Sequence, residues 1–239
     1  EYRSQGIPQG SPLSPLLANI VLDELDKELE KRKLRFARYA DDFLIFVKSR
    51  RSAKRVLGGI SRYLKRRLRL TVNHAKSQAT KLNQCCFLGF QLRGGKLRWT
   101  QAVIQRFKDR IRQITGRSRG ISMTQRVEQL NQYIRGWFQY FGHAYCYRMV
   151  VQLDGWIRRR IRLCYWKQWK KPRTRRRHLI ALGAHPDEVH MATRSRKGYW
   201  RMSANRIVQQ ALSNRWIEKQ GIPNITQQWI ELHYGASRS

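Results

Sequence analysis

The sequence predicts an α+β fold: antiparallel strands with helices through about residue 99, an all-α bundle after it, and a basic helical C-terminal region. Three observations carry this. Helical stripes and short β-prone runs alternate over residues 1–99. After Thr100 the strand signal fades and apolar residues recur at helical spacing. Lys and Arg then stay dense to the C-terminus, and the region beyond Pro172 reads as looser and very basic. The domains expected are 1–99, 100–171 and 172–239.

The elements follow in order. Residues 5–15 hold two glycines and three prolines, which predicts a rigid, extended loop. Ser14 before Pro15 reads as a helix start, with an N-cap hydroxyl and proline at the first helical position. Leu16, Leu17, Ile20, Val21, Leu25 and Leu29 recur at helical spacing to about Lys31, while Asp23, Glu24, Asp26, Glu28 and Glu30 form a solvated stripe. Residues 35–47 predict a hairpin with Asp41 and Asp42 at its tip. A helix over 52–68 turns Val56, Leu57, Ile60, Tyr63 and Leu64 inward. Residues 70–73 read as a short strand, and 87–92 with 96–99 as a second hairpin turning at Gly94-Gly95.

Helices are expected over 100–114, 122–141 and 147–169, joined by short connections as in a small bundle. One more spans 203–219, capped by Ser203 and stopped by Gly221 and Pro223.

Composition narrows the function classes. The 239 residues carry 50 Lys+Arg against 15 Asp+Glu, a formal charge of +35, so a polyanion is the natural partner. With 41% hydrophobic and 11% aromatic residues, the chain has the means to fold. No apolar run approaches the roughly 20 residues of a spanning helix, no signal peptide opens the chain, and aromatics interleave with arginine. Nucleic acid is therefore expected rather than membrane. Cys85, Cys86, Cys146 and Cys164 match no zinc spacing and read as reduced, mostly buried thiols of a cytoplasmic protein. His178, His185 and His190 lie near Asp187 without cysteine pairs, so no metal site is expected there.

The chemistry centres on Arg38-Tyr39-Ala40-Asp41-Asp42-Phe43-Leu44-Ile45-Phe46-Val47. After Asp42 no Asp or Glu occurs until Asp109. Adjacent carboxylates repel and need a shared positive partner. Divalent metal is one candidate, since Mg²⁺ uses one or two carboxylates plus substrate phosphates. Neighbouring arginines, pairing with an ordinary Asp-rich turn, are the other.

Five segments in this order resemble the group II intron-encoded reverse transcriptases. Gly6-Ile7-Pro8-Gln9-Gly10-Ser11-Pro12-Leu13-Ser14-Pro15 is similar to their substrate loop and helix, and Tyr39-Ala40-Asp41-Asp42 to their metal-binding turn. Residues 70–76 resemble the segment carrying a lysine near the nucleotide phosphates, and Phe87-Leu88-Gly89-Phe90 the primer grip. Residues 130–141 are similar to the maturase thumb signature, and 194–200 and 211–216 to the C-terminal DNA-binding region. The resemblance implies a partial polymerase palm followed by a thumb/maturase bundle. It implies Asp41 and Asp42 as ligands of two Mg²⁺ ions, Lys76 as the group that neutralises or protonates pyrophosphate, and Gln9 and Gly10 as nucleotide contacts. Expected partners are group II intron RNA, an RNA template with a DNA primer, dNTPs and target DNA, in a bacterial cytoplasm.

The family pattern also has a third metal-binding carboxylate on a strand before the substrate loop, an adjacent aromatic that excludes ribonucleotides, and fingers. None is within this sequence, which is expected to be a fragment or a truncated gene product. The alternative is a non-enzymatic RNA-binding splicing factor. The chain alone is therefore expected to yield no cDNA in a primer-extension assay with Mg²⁺ and all four dNTPs. Full-length product would overturn that expectation.

Overall fold

The computed structural model describes residues 13–235, which fall into two compact units divided between Phe87 and Leu88. The architecture is mixed helix and small sheets, one of two strands and one of three, so the α+β class holds.

In the first unit, helix α1 (Ser14–Lys31) leads into strands β1 (Arg35–Tyr39) and β2 (Asp42–Phe46), then helix α2 (Arg50–Arg67). Strand β3 (Cys86–Phe87) closes the unit. Phe36 and Ile45 pair across β1 and β2, as do Arg38 and Phe43. Their shared face packs Phe36, Phe43 and Ile45 onto a small core of Leu22, Leu25, Leu29, Ile60 and Leu64. Serine Oγ of Ser49 caps α2 by accepting from the Ser52 amide.

Three expectations fail here. The α1 cap position is Leu13, without a side-chain cap, and Ser14 is already helical. Proline restricts the residue before it but does not forbid it from the first turn. Leu16, Leu17, Ile20 and Val21 are exposed, so only the C-terminal half of the α1 stripe reaches the core. Residues 70–73 form no strand: Leu68 ends α2, Arg69 takes φ +56°, and the segment finds no ladder partner among the described residues.

In the second unit, β4 (Phe90–Arg93) and β5 (Lys96–Trp99) pair in register through Gly94 and Gly95, both at positive φ, as the Gly-Gly pair predicts. Helices α3 (Gln101–Ile114), α4 (Met123–Phe141) and α5 (Tyr147–Gln168) follow, with Thr100 and Ser122 as side-chain N-caps of the first two. Gly89, at φ +84°, lies where a Cβ would come within 2.8 Å of Val103 and 3.0 Å of Phe141, so the hairpin's approach to α3 and α4 requires glycine.

The region beyond Pro172 is not loose. It folds as α6 (Pro172–Ala181), α7 (Pro186–Thr193), α8 (Tyr199–Met202), α9 (Arg206–Ala211), α10 (Asn214–Lys219) and α11 (Ile225–Tyr234). The single helix expected over 203–219 is broken in two, with Asn205 and Ser213 as the caps. Ser203 is buried instead, its hydroxyl donating to the Trp200 carbonyl.

Helix α5 joins two cores. Its N-terminal part, through Val150, Leu153, Ile157 and Ile161, packs with α3, α4 and residues of α10 and α11. Its C-terminal part, through Trp166, packs with Leu179, Val189, Met202, Val208 and Leu212. At the joint lies Arg158, 2% exposed. It donates to Asp154 at 2.7 Å, Glu218 at 2.8 Å and the Asn214 carbonyl at 3.0 Å. The other Asp154 oxygen accepts from the Ile225 amide, at the start of α11. Truncation as Asp154→Ala should destabilise the chain by about 3 kcal/mol in urea unfolding, because it strips a buried guanidinium of its closest counter-charge. Glu218→Ala should cost about 1 kcal/mol or less, its carboxylate being screened by solvent.

Candidate functional site

The acidic pair sits on a two-residue turn. Tyr39 pairs with Asp42 across the hairpin, leaving Ala40 and Asp41 as the loop. Of those two, only Ala40 has positive φ, +53°. That is the pattern of a turn whose first central position is normally glycine. An alanine there is strained, and something must hold it.

Arg38 does so. Its guanidinium donates to the Ala40 carbonyl at 3.1 Å. The same group is fixed from α1: Nε and Nη2 donate to the Asp26 carboxylate, the shortest contact being 2.6 Å, and Nη1 donates to Asn19 Oδ1 at 2.8 Å. A bidentate arginine–carboxylate pair of this kind fixes orientation as well as charge. The Asp26 hydrogen bond and charge raise the Arg38 pKa further above its already high value.

Asp41 and Asp42 are exposed, and among the described residues neither has an ion-pair partner. The local arginine pairs with Asp26 instead. Elsewhere on α1, Asp23 pairs with Lys27 and Glu28 with Arg32. The pair thus offers hard, unneutralised oxygen donors on a turn held from behind, a donor set that fits Mg²⁺. No group of three or more potential metal ligands occurs among the described residues, so substrate or further donors would have to complete a coordination sphere.

Lys76 is exposed in a separate turn, where the Asn73 side chain accepts from the Ala75 and Lys76 amides. No hydrogen bond or ion pair among the described residues links it to the acidic pair. Gln9 and Gly10 lie outside the described residues. Arg38, Asp26 and Asn19 are the supporting residues that the sequence did not reveal; no spacing rule connects a helix carboxylate to an arginine 12 positions on.

The cations of the second unit divide sharply. Arg158 and Arg162 of α5 are buried, the latter donating to the Leu212 carbonyl and the Asn214 side chain. Arg160 donates to Thr115 at the end of α3, as Arg126 does to the Ile114 and Gly116 carbonyls. Burial lowers the pKa of Arg160 and Arg162. Arg159 lies over the Trp200 ring at 3.9 Å. The basic stripe of α5 therefore serves largely inside the fold, capping helix ends. On α6, in contrast, Arg173, Arg176 and Arg177 are exposed and have no ion-pair partner among the described residues. Spaced three and four apart at the N-terminal half of a helix, they repel one another and oppose the helix dipole.

His178 stacks flat on Trp169, and His185 lies 3.6 Å from Asp187. Cys146 and Cys164 are buried thiols, Cys85 is half-buried and Cys86 exposed. Among the described residues no helix is long and apolar enough to cross a membrane.

Comparison with known proteins matches residues 1–92 to the family "Reverse transcriptase (RNA-dependent DNA polymerase)". Residues 104–182 match "Group II intron, maturase-specific domain". Protein YkfC of Escherichia coli (strain K12) is 28% identical, over 43% of this chain and 37% of its own length. The chain thus spans well under half the length of that curated relative.

Two stability outcomes follow from the turn. Ala40→Gly should raise the urea midpoint of the first unit by the equivalent of about 1 kcal/mol, since it removes the positive-φ penalty. Arg38→Met should lower it, and should weaken the response to Ala40→Gly, because the turn is no longer held. Equal gains from Ala40→Gly in both backgrounds would show the two residues to be uncoupled.

Proposed function

We propose that this chain, which belongs to the family of group II intron-encoded reverse transcriptases and maturases, carries the metal-binding turn of an RNA-directed DNA polymerase together with an intron-RNA-binding maturase unit. The observation that carries the polymerase half is the acidic pair: two exposed carboxylates without an ion-pair partner among the described residues, on a strained turn that Arg38 holds from α1.

Asp41 would be the principal metal ligand and Asp42 its assistant. Two Mg²⁺ ions held there supply the charge that stabilises the attacking and leaving oxygens of an in-line nucleotidyl transfer. What the chain itself contributes is placement. Asp26 and Asn19 orient Arg38, Arg38 fixes the Ala40 carbonyl, and the Asp41 carboxylate follows from that backbone. Lys76, exposed and without an acidic partner among the described residues, is suited to neutralising the departing pyrophosphate. Gln9 and Gly10 are assigned to dNTP contact on the sequence motif. Template RNA, DNA primer and target DNA are the macromolecular substrates of this reading.

Residues 1–99 are assigned to the polymerase palm, 100–171 to the thumb and maturase domain, and 172–239 to a DNA-binding-like region. Intron RNA would meet the second unit through phosphates, for which the unpaired α6 arginines are suited. The Phe87-Leu88-Gly89-Phe90 segment, with Gly89 seated on α3 and α4, is assigned to the primer grip.

Filter binding of group II intron RNA should weaken at least tenfold or so as salt rises from about 50 to 200 mM. Replacing Arg173, Arg176 and Arg177 by Ala should reduce the logarithmic salt slope by about one for each arginine removed. Asp41→Asn with Asp42→Asn should leave RNA affinity unchanged, since that pair faces metal and nucleotide. A salt response that is flat, or a slope insensitive to the arginine triple substitution, would exclude this surface.

A further inference from the structure

The second unit contains a shallow cleft, unused by the assignments above, where the C-terminal turns of α5 meet α6 and α10. Tyr165 of α5, Trp169 just beyond its end, Thr174 and His178 of α6, Trp216 of α10 and Met123 line its main lobe of about 450 Å³. A second lobe of about 330 Å³ shares Leu182 and Trp216 and adds Arg215 and Lys219. Both lie within the size range of small-ligand sites.

Its walls are aromatic rings in a row. Trp216 meets Tyr165 edge-on at 5.0 Å, Tyr165 lies 5.9 Å from Trp169, and His178 stacks on Trp169 at 4.7 Å with 9° between the planes. Burial, reinforced by the charge of Arg177, lowers the His178 pKa, which favours the uncharged ring as a π surface. Gln168 and Thr174 add hydrogen-bonding groups among these rings.

The charge around the cleft is one-sided. Among the described residues, no acidic one lines either lobe. Arg215 and Lys219, four apart on α10, have no ion-pair partner among the described residues, nor do the three exposed arginines of α6. An apolar peptide or helix would have no use for cations so disposed. Rings to stack on, flanked by unpaired cations, are what a single strand with exposed bases and phosphates engages.

We infer that this cleft receives one unstacked base of a single-stranded nucleic acid, with the neighbouring phosphates passing over Arg215, Lys219 and the α6 arginines. The inference rests on the nucleic-acid-binding reading of the second unit and goes beyond it, from phosphate contact to capture of a base. Trp216 and Tyr165 are the stacking residues, and His178 on Trp169 forms the opposite wall.

The test uses the full chain and two probes of equal length and charge: a short oligouridine RNA and its abasic ribose-phosphate counterpart. Fluorescence anisotropy should show oligouridine binding about tenfold or more tighter, the scale of a base–aromatic stack. Arg215→Ala with Lys219→Ala should weaken both probes, whereas Trp216→Ala should erase the difference between them. Because Trp216 also packs against both cores, photo-crosslinking of the unmodified chain to iodouridine RNA gives a second reading, with adducts expected on Tyr165, His178 or Trp216. Equal affinity for the two probes, with binding still steeply salt-dependent, would overturn the cleft while sparing the phosphate surface. Failure to bind either probe would overturn both. Adducts confined to other helices, or an apolar peptide that fills the cleft without displacing oligouridine, would also overturn it.

Discussion

The guanidinium of Arg158 is the point on which the second unit depends. Buried between Asp154 and Glu218, it ties α5 to α10, and the second oxygen of Asp154 receives the first amide of α11. Taking the Arg158 guanidinium and most of the Asp154 carboxylate out of water is costly and is offset only when their donors and acceptors are matched. Here the Asn214 carbonyl and the Asn224 side chain complete the set, Asn224 donating to the same Glu218 oxygen that Arg158 uses. The result is a joint between two apolar cores that α5 alone would not align. Arg162, one turn on, repeats the device by taking up the Leu212 carbonyl where α9 ends.

A chain of +35 must place its cations without tearing itself apart. Much of the answer lies in helix ends. Arg126 and Arg160 satisfy carbonyls left open at the end of α3, and Arg175 donates to the carbonyl of Trp169, beyond the last turn of α5. Those arginines belong to the folded state and are not free to meet a ligand. The exposed cations of α6 and α10, without ion-pair partners among the described residues, are among those whose repulsion a polyanion would relieve. Partner binding and fold stability thus draw on different arginines, which the total charge does not distinguish.

The first unit applies the same economy to a much smaller core. Arg38 is half-buried and spends its donors on Asp26, Asn19 and the Ala40 carbonyl, and Asp41 and Asp42 have no ion-pair partner among the described residues. Among the described residues, no arginine forms an ion pair with either carboxylate of the acidic turn. A strained alanine is tolerated because the strap from α1 over-determines its conformation. Lys33 and Arg69 show the same tolerance where α1 and α2 end: each has positive φ without being glycine, and the Lys33 and Leu34 amides close the α1 terminus onto the Glu30 and Leu29 carbonyls.

Periodicity and local chemistry alone made much of this chain legible. The three bundle helices, the Gly-Gly hairpin and the acidic turn all depend on residues within a few positions of one another, and backbone sterics act at that range. The matches to the reverse transcriptase and maturase-specific families were legible too, because the motifs that carry them are contiguous. Helices α6 and α7 were not: each is short, polar and anchored by only one to three buried residues, too few to show a stripe. Nor was the exposure of Leu16, Leu17, Ile20 and Val21 readable, since an apolar stripe records which face could be buried but not how far its cover extends. Which arginines are structural and which are free, and which group holds the acidic turn, only the tertiary structure decided. Those outcomes depend on partners 12 to 60 positions away, brought within hydrogen-bonding distance by packing that no local pattern encodes.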